Sequence, residues 1–265
     1  MVRNAILTWA SGEAFCKSEG FRCYVKSLDN IKDADRFVFT HDMPDDVRQE
    51  LHNKVTIVDI DPARIHYLLR DRHLIFWEFL VKNKVQYKHV VITDSKDVVF
   101  QRDIFNYVEG HWFEYLYLAG EGMTHKQSGW NLIDQFEAQR NVREFQKECR
   151  EWPVVNGGVM MGTNNTLQNL LFLVWSNTVR SIGKNTDQGI LNYLYSFLQG
   201  TGQISLKEPQ RHAFCLTGEA VKEGFVKPVF RNGRFYLPIT EEPYYIVHQW
   251  DRTTYRDELL AHYLK

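Results

Sequence analysis

The chain has 265 residues, 44% hydrophobic and 25% charged, an ordinary globular mix that excludes a disordered, fibrous or membrane-embedded protein. Lysine and arginine total 32 against 33 aspartates and glutamates, so no basic excess points to a phosphate backbone and no nucleic-acid partner is expected. At this length a core closes without staples, and one domain over residues 1–265 is expected.

The four cysteines, Cys16, Cys23, Cys149 and Cys215, show no C-x2-C pair. They read as thiols of a reduced chain. The first fifteen residues hold only a short apolar stretch broken by polar residues, unlike a secretory leader. No apolar run approaches the roughly 18 residues of a membrane span. A cytoplasmic protein without a membrane span is expected.

The first elements are short apolar strands bounded by polar turns: Ala5 to Trp9, Arg36 to Thr40 and Val55 to Val58. From Pro62 to Lys82 the apolar residues Ile65, Leu68, Leu69, Phe76, Phe79 and Leu80 recur at helical spacing. Pro62 suits a first helical turn. A strand from His89 to Thr93 follows, then one from Tyr115 to Ala119, then a polar amphipathic helix from Ile133 to Glu148. Gly158 to Gly162 reads as a strand, and Leu167 to Val179 and Asp187 to Leu198 as helices. Phe225 to Leu237 reads as a hairpin around Asn232-Gly233. Tyr244 to Val247 is a last strand before a terminal helix. The alternation predicts an α/β fold: a mostly parallel, Rossmann-like central sheet flanked by helices, with a small antiparallel appendage. In such sheets ligands bind beyond the carboxyl ends of the strands.

Four segments stand where that rule looks for chemistry. In Ile92-Thr93-Asp94-Ser95-Lys96-Asp97 an apolar strand delivers two carboxylates three residues apart, a donor set suited to Mg2+ or Mn2+. His248 ends the strand Tyr245-Ile246-Val247 and offers an imidazole as third ligand. Asn156-Gly157-Gly158 precedes a strand, and its glycines permit close approach of a ligand. Asp187-Gln188, at the start of a helix after Thr186, offers a carboxylate and an amide. Arg70 and Arg72 offer guanidinium groups to a diphosphate. The segment from Gly122 to Trp130 reads as a mobile flap.

In this order the segments resemble the glycosyltransferases of the GT-A fold, and among them the retaining, family-8-like group. The motifs that carry the resemblance are Asp94-Ser95-Lys96-Asp97, Asn156-Gly157-Gly158, Asp187-Gln188 and His248-Gln249-Trp250-Asp251-Arg252, spread over nearly the whole chain. The resemblance implies a nucleotide-sugar donor, a UDP-sugar, a divalent cation, Mn2+ or Mg2+, and a glycan or glycoconjugate acceptor. It makes Asp97 the second acid of the metal motif, with Asp94 or Ser95 as the first and His248 as the third ligand. It places Thr8 and Trp9 against the base and ribose and makes Arg72 a basic donor contact. Asn156, Gly157 and Gly158 line the sugar site, Asp187 meets the sugar hydroxyls, and Gln188 lies near the anomeric carbon. Retention follows from the Asp-Gln pair; an inverting enzyme needs a base, and Glu121 is a candidate. The alternative on the same fold is a non-catalytic carbohydrate- or nucleotide-binding protein. Oligomeric state is not legible.

Overall fold

In a computed structural model of the chain, residues 3–109, 116–128, 150–179 and 187–265 are described. The expected helix from Ile133 to Glu148, Tyr115, Cys149, Thr186 and the Gly129-Trp130 end of the flap segment lie outside these residues.

The first half is a βα alternation. Strand β1 (Arg3–Trp9) leads to a short α1 (Glu13–Cys16) and α2 (Glu19–Ser27), then β2 (Ala34–Thr40), α3 (Asp45–Leu51) and β3 (Thr56–Asp59). Helix α4 (Leu68–Lys82) follows, then β4 (Tyr87–Thr93), β5 (Val98–Phe100) and α5 (Phe105–Glu109). The central strands continue with β6 (Leu116–Thr124) and β7 (Pro153–Thr163), followed by α6 (Asn164–Thr178), α7 (Asp187–Leu198) and β8 (Ile204–Lys207). The last part is β9 (Cys215–Thr217), α8 (Gly218–Lys222), the hairpin β10 (Val229–Arg231) and β11 (Arg234–Tyr236), β12 (Ile246–His248) and α9 (Arg256–Tyr263).

Seven strands form one sheet in the order β3-β2-β1-β4-β7-β6-β8. The pairs β1·β2, β2·β3, β1·β4 and β6·β8 are parallel, while β7 runs antiparallel to β4 and β6. The fold is therefore α/β and Rossmann-like, as the sequence predicts. The near-continuous apolar runs have a physical reason. Alternate residues of β1 go to opposite faces: Ile6 packs with Tyr24, Val38 and Val91, and Leu7 packs with Phe39, Phe76 and Leu171. A strand covered on both faces has no polar side to show.

The appendage comprises two small sheets. The hairpin forms at Asn232-Gly233, whose φ angles of 52° and 72° are the left-handed pair that a two-residue turn of this hand requires. The other sheet, β5-β12-β9, is mixed: β12 is antiparallel to β5 and parallel to β9. Gln101 joins the two. Its amide donates to the carbonyls of Phe235 and Tyr244 at 3.0 and 2.9 Å, and its carbonyl accepts from Phe235 N–H at 2.7 Å.

The expected helix from Pro62 to Lys82 is broken. Pro62–Arg64 is one 3-10 turn and α4 starts at Leu68. The reason is Asp71, whose carboxylate accepts from the backbone N–H groups of His66 and Tyr67 at 2.8 and 2.7 Å. It satisfies orphan donors that a continuous helix would not leave. Gly122 to Thr124 of the expected flap belong to β6.

Candidate functional site

Strand β4 ends at Thr93, and the chain turns so that Asp94 N–H donates to the Gly158 carbonyl of β7 at 2.8 Å. Four residues after Asp94, β5 begins in a different sheet. The turn 94–97 is thus a seam between sheets. From the far side of the seam, β12 brings His248 into register with Val98. The His248 Nε2 atom lies 3.6 Å from Asp94 Oδ2 and 3.5 Å from Asp97 Oδ1, and one ligand atom from each of the three groups falls within a 4.8 Å set. A hard divalent cation holds oxygen ligands at about 2.0–2.6 Å, which sets adjacent ligand atoms about 3–4 Å apart. The cluster has that spacing, and two carboxylates with one imidazole suit Mn2+ better than Mg2+.

The backbone of β7 supports the same conclusion. A Cβ built on Gly158 would stand 2.7 Å from Asp94 Oδ2 and closer still to the His248 ring. Only glycine lets the three groups converge over this strand. Burial pushes the Asp97 carboxyl up, but the charge and hydrogen bond of His248 outweigh it and hold it low. Burial pushes the His248 imidazole down, and Asp97 outweighs this and raises it. Each group's charged form favours the other's, and a bound cation would take the place of that pairing.

The cleft over this cluster measures about 820 Å³, within the range of ligand sites. Arg72, from the second turn of α4, bridges it: one guanidinium nitrogen donates to Asp94 Oδ1 and another to Asp187 Oδ2, each at 2.8 Å. His73 Nε2 lies 3.5 Å from the same Asp187 oxygen. Burial pushes the Asp187 carboxyl up, yet the hydrogen bond from His73 and the charge of Arg72 hold it at about 2. Gln188, next on α7, donates its amide to Glu121 Oε1 at 3.1 Å and accepts from Gly157 N–H at 3.1 Å. Asn156 also donates to Glu121 Oε1, at 3.1 Å. Glu121 sits where β6 slips register against β7, beside Gly122 at φ 69°. Burial raises its pKa against the two amide hydrogen bonds.

Ten of the residues singled out in the sequence line this one cleft: Arg72, Asp94, Asp97, Glu121, Asn156, Gly157, Gly158, Asp187, Gln188 and His248. Three do not. Thr8 is buried and its hydroxyl donates to the Thr93 carbonyl at 2.7 Å. Ser95 is buried and its hydroxyl donates to the Trp9 carbonyl at 2.7 Å. Trp9 packs its ring against Phe39 and Phe76 and donates Nε1–H to Ser11. Thr8 and Ser95 therefore pin the ends of β1 and β4 together instead of meeting a ligand, and Asp94 is the acid placed beside His248. Arg70 is also held elsewhere, its Nε donating to Asp71 at 2.6 Å.

Glu219 and Lys222 also line the cleft and were not singled out in the sequence, and Arg252, quoted there only as the last residue of a motif, joins them. Lys222 Nζ lies 3.2 Å from Glu219 Oε1, and Arg252 donates to Glu219 Oε2 at 2.8 Å. The signal was an i, i+3 pair in a five-residue helix, indistinguishable in sequence from solvated charge.

A comparison with models of known protein families gives no match, and a comparison with curated proteins gives none either. Among the described residues no helix is long and apolar enough to cross a membrane.

Proposed function

We propose that the protein is a metal-dependent glycosyltransferase. It moves a sugar from a nucleotide-sugar donor, a UDP-sugar, to a hydroxyl of a glycan or glycoconjugate, with retention at the anomeric carbon. The observation that carries this reading is the Arg72 bridge. It ties a cation-binding acid, Asp94, to the carboxylate–amide pair Asp187-Gln188 within one cleft.

Asp94, Asp97 and His248 would hold Mn2+ or Mg2+, and the bound ion would supply positive charge to the diphosphate leaving group. Lys222 and Arg252, on the cleft's other wall, offer further charge to the same group. Asp187 stays ionised at neutral pH under the hold of His73 and Arg72, so it accepts hydrogen bonds from sugar hydroxyls. Gln188 and Asn156 donate their amides to Glu121 Oε1 and so fix the Glu121 carboxyl in the cleft, where an oxocarbenium-like charge would develop. The acceptor oxygen forms its bond to the anomeric carbon as the bond to the diphosphate oxygen breaks, and the hydroxyl proton passes to the departing oxygen. The tethering of Glu121 Oε1 by two amides supports a positioning role for this residue over that of a base for inversion.

The test is a donor-cleavage screen. Purified protein is incubated with UDP-, GDP- and other nucleotide sugars, with Mn2+ or with chelator, and free nucleotide is measured. Mn2+-dependent release from one donor, abolished by Asp97→Ala, is expected. Metal-dependent nucleotide binding without cleavage, even with an acceptor panel, would favour a non-catalytic binding protein.

A further inference from the structure

We infer that Glu219 is a resident competitor for the pyrophosphate group of the ligand, occupying the two cations that this group must reach. The inference rests on the reading of the cleft as a nucleoside diphosphate site.

Lys222 and Arg252 come from different elements, α8 and the 3-10 turn Trp250–Arg252 that follows β12. One carboxylate serves both, with Oε1 3.2 Å from Lys222 Nζ and Oε2 2.8 Å from an Arg252 nitrogen. The two elements are locked to each other. The Glu219 N–H donates to Gln249 Oε1 at 3.2 Å, and Gly218 lies so close to the Gln249 carbonyl that a Cβ has no room. The Glu219 side chain is 21% exposed, against 53% for Lys222 and 44% for Arg252, so the cations stand open to solvent with the acid behind them.

The position matters because Lys222 and Arg252 line the same cleft as Asp94, Asp97 and His248. An anion held by Arg252 and Lys222 therefore lies beside the cation cluster, where a diphosphate would be. The third cation of the cleft, Arg72, is already committed to Asp94 and Asp187. A ligand must displace Glu219 from two cations at once, which a single small anion does poorly and a pyrophosphate, with many oxygens, does well. When the nucleoside diphosphate leaves, Glu219 closes both ion pairs again. Its presence lowers affinity for the product and favours release.

The test is calorimetric titration with inorganic pyrophosphate and with UDP, each with Mn2+ present, on wild type and on Glu219→Gln. Exposed ion pairs shift equilibria by up to a few-fold each, so the variant is expected to bind both ligands about three- to tenfold more tightly. The gain should shrink as salt is added, and affinity for uridine should not change. Lys222→Gln, at an exposed position, should weaken pyrophosphate binding. Equal or weaker pyrophosphate binding by Glu219→Gln, or an equal gain for uridine, would overturn the inference. If wild type binds neither pyrophosphate nor UDP, the reading of the cleft fails and the inference with it. If both bind but no donor is cleaved, the catalytic reading alone fails and the role of Glu219 stands.

Discussion

Arg72 reaches Asp94 with one guanidinium nitrogen and Asp187 with another, at 2.8 Å each, so one side chain links the cation cluster to the start of α7. The side chains are 16%, 34% and 12% exposed, which gives the bridge a partly dry setting. Arg72→Gln leaves Asp187 with the more distant His73 and the Gln188 backbone N–H but without its charged partner. Removing one member of a buried pair costs about 3 kcal/mol or more. Urea denaturation should show a loss of that order, and donor cleavage should fall at least a hundredfold. Arg72→Lys keeps the charge but cannot span both acids, so it should recover stability in part and activity little.

Gly158→Ala separates metal binding from charge, because no charged group is removed. The new methyl would press on the His248 ring and on Asp94 Oδ2. Mn2+ affinity measured by calorimetry should drop at least tenfold. Gly157→Ala, whose Cβ would meet Gln188 Cβ at 3.4 Å, an ordinary contact, should leave Mn2+ affinity within about twofold of wild type.

Asp187 carries a pH signature. Its carboxyl is lowered from 3.8 to about 2 in the folded chain. A depressed acid contributes stability above its unfolded pKa and loses it as pH falls through the folded value. The contribution at neutral pH is about 2 kcal/mol, fading between roughly pH 4 and 2. Stability curves of wild type and Asp187→Asn, measured from pH 6 to 2, should therefore converge at the acid end. Curves that stay parallel would remove the ionic role of Asp187.

His248 gives the opposite sign. Its pKa is raised by Asp97 over the effect of burial, so its own pairing stabilises the fold below the ordinary value of about 6.5 and is lost as pH rises through the raised value. A cation needs the neutral ring. Mn2+ should therefore raise the melting temperature more at pH 8 than at pH 6, and chelator should erase the difference. His248→Gln should flatten this pH dependence.

The elements that were legible in the sequence are those with one unambiguous period. Strands β1 and β4 are buried on both faces, and α7 runs from Asp187 to Leu198 as its spacing indicates. Helix α2 was not read, although Phe21, Tyr24 and Val25 turn inward, because Gly20 interrupts its first turn and its nine residues are shorter than the stretch of roughly 11 or more over which a helical period is counted. Strands β8 and β9, of four and three residues, are too short for alternation to show. In the cleft, residues were legible where an apolar strand ends abruptly on an acid or histidine. The same logic does not separate Thr8 and Ser95, whose hydroxyls donate to backbone carbonyls outside the cleft lining, since a hydroxyl at a strand end serves a neighbouring carbonyl as readily as a ligand. Glu219 and Lys222 were illegible, and Arg252 was legible only as part of a motif, because nothing local distinguishes a charge that faces a cleft from one that faces water.

The seam between the two sheets also sets an order of events during synthesis. Asp94 and Asp97 leave the ribosome more than 150 residues before His248. Until β12 slots between β5 and β9, the acid turn has no nitrogen ligand and Val98 to Phe100 have no antiparallel neighbour. A nascent chain can thus build the seven-stranded sheet before the three groups meet. On the proposed reading, a cation would find its third ligand only once β12 is in place, so tight cation binding would report that this strand has docked.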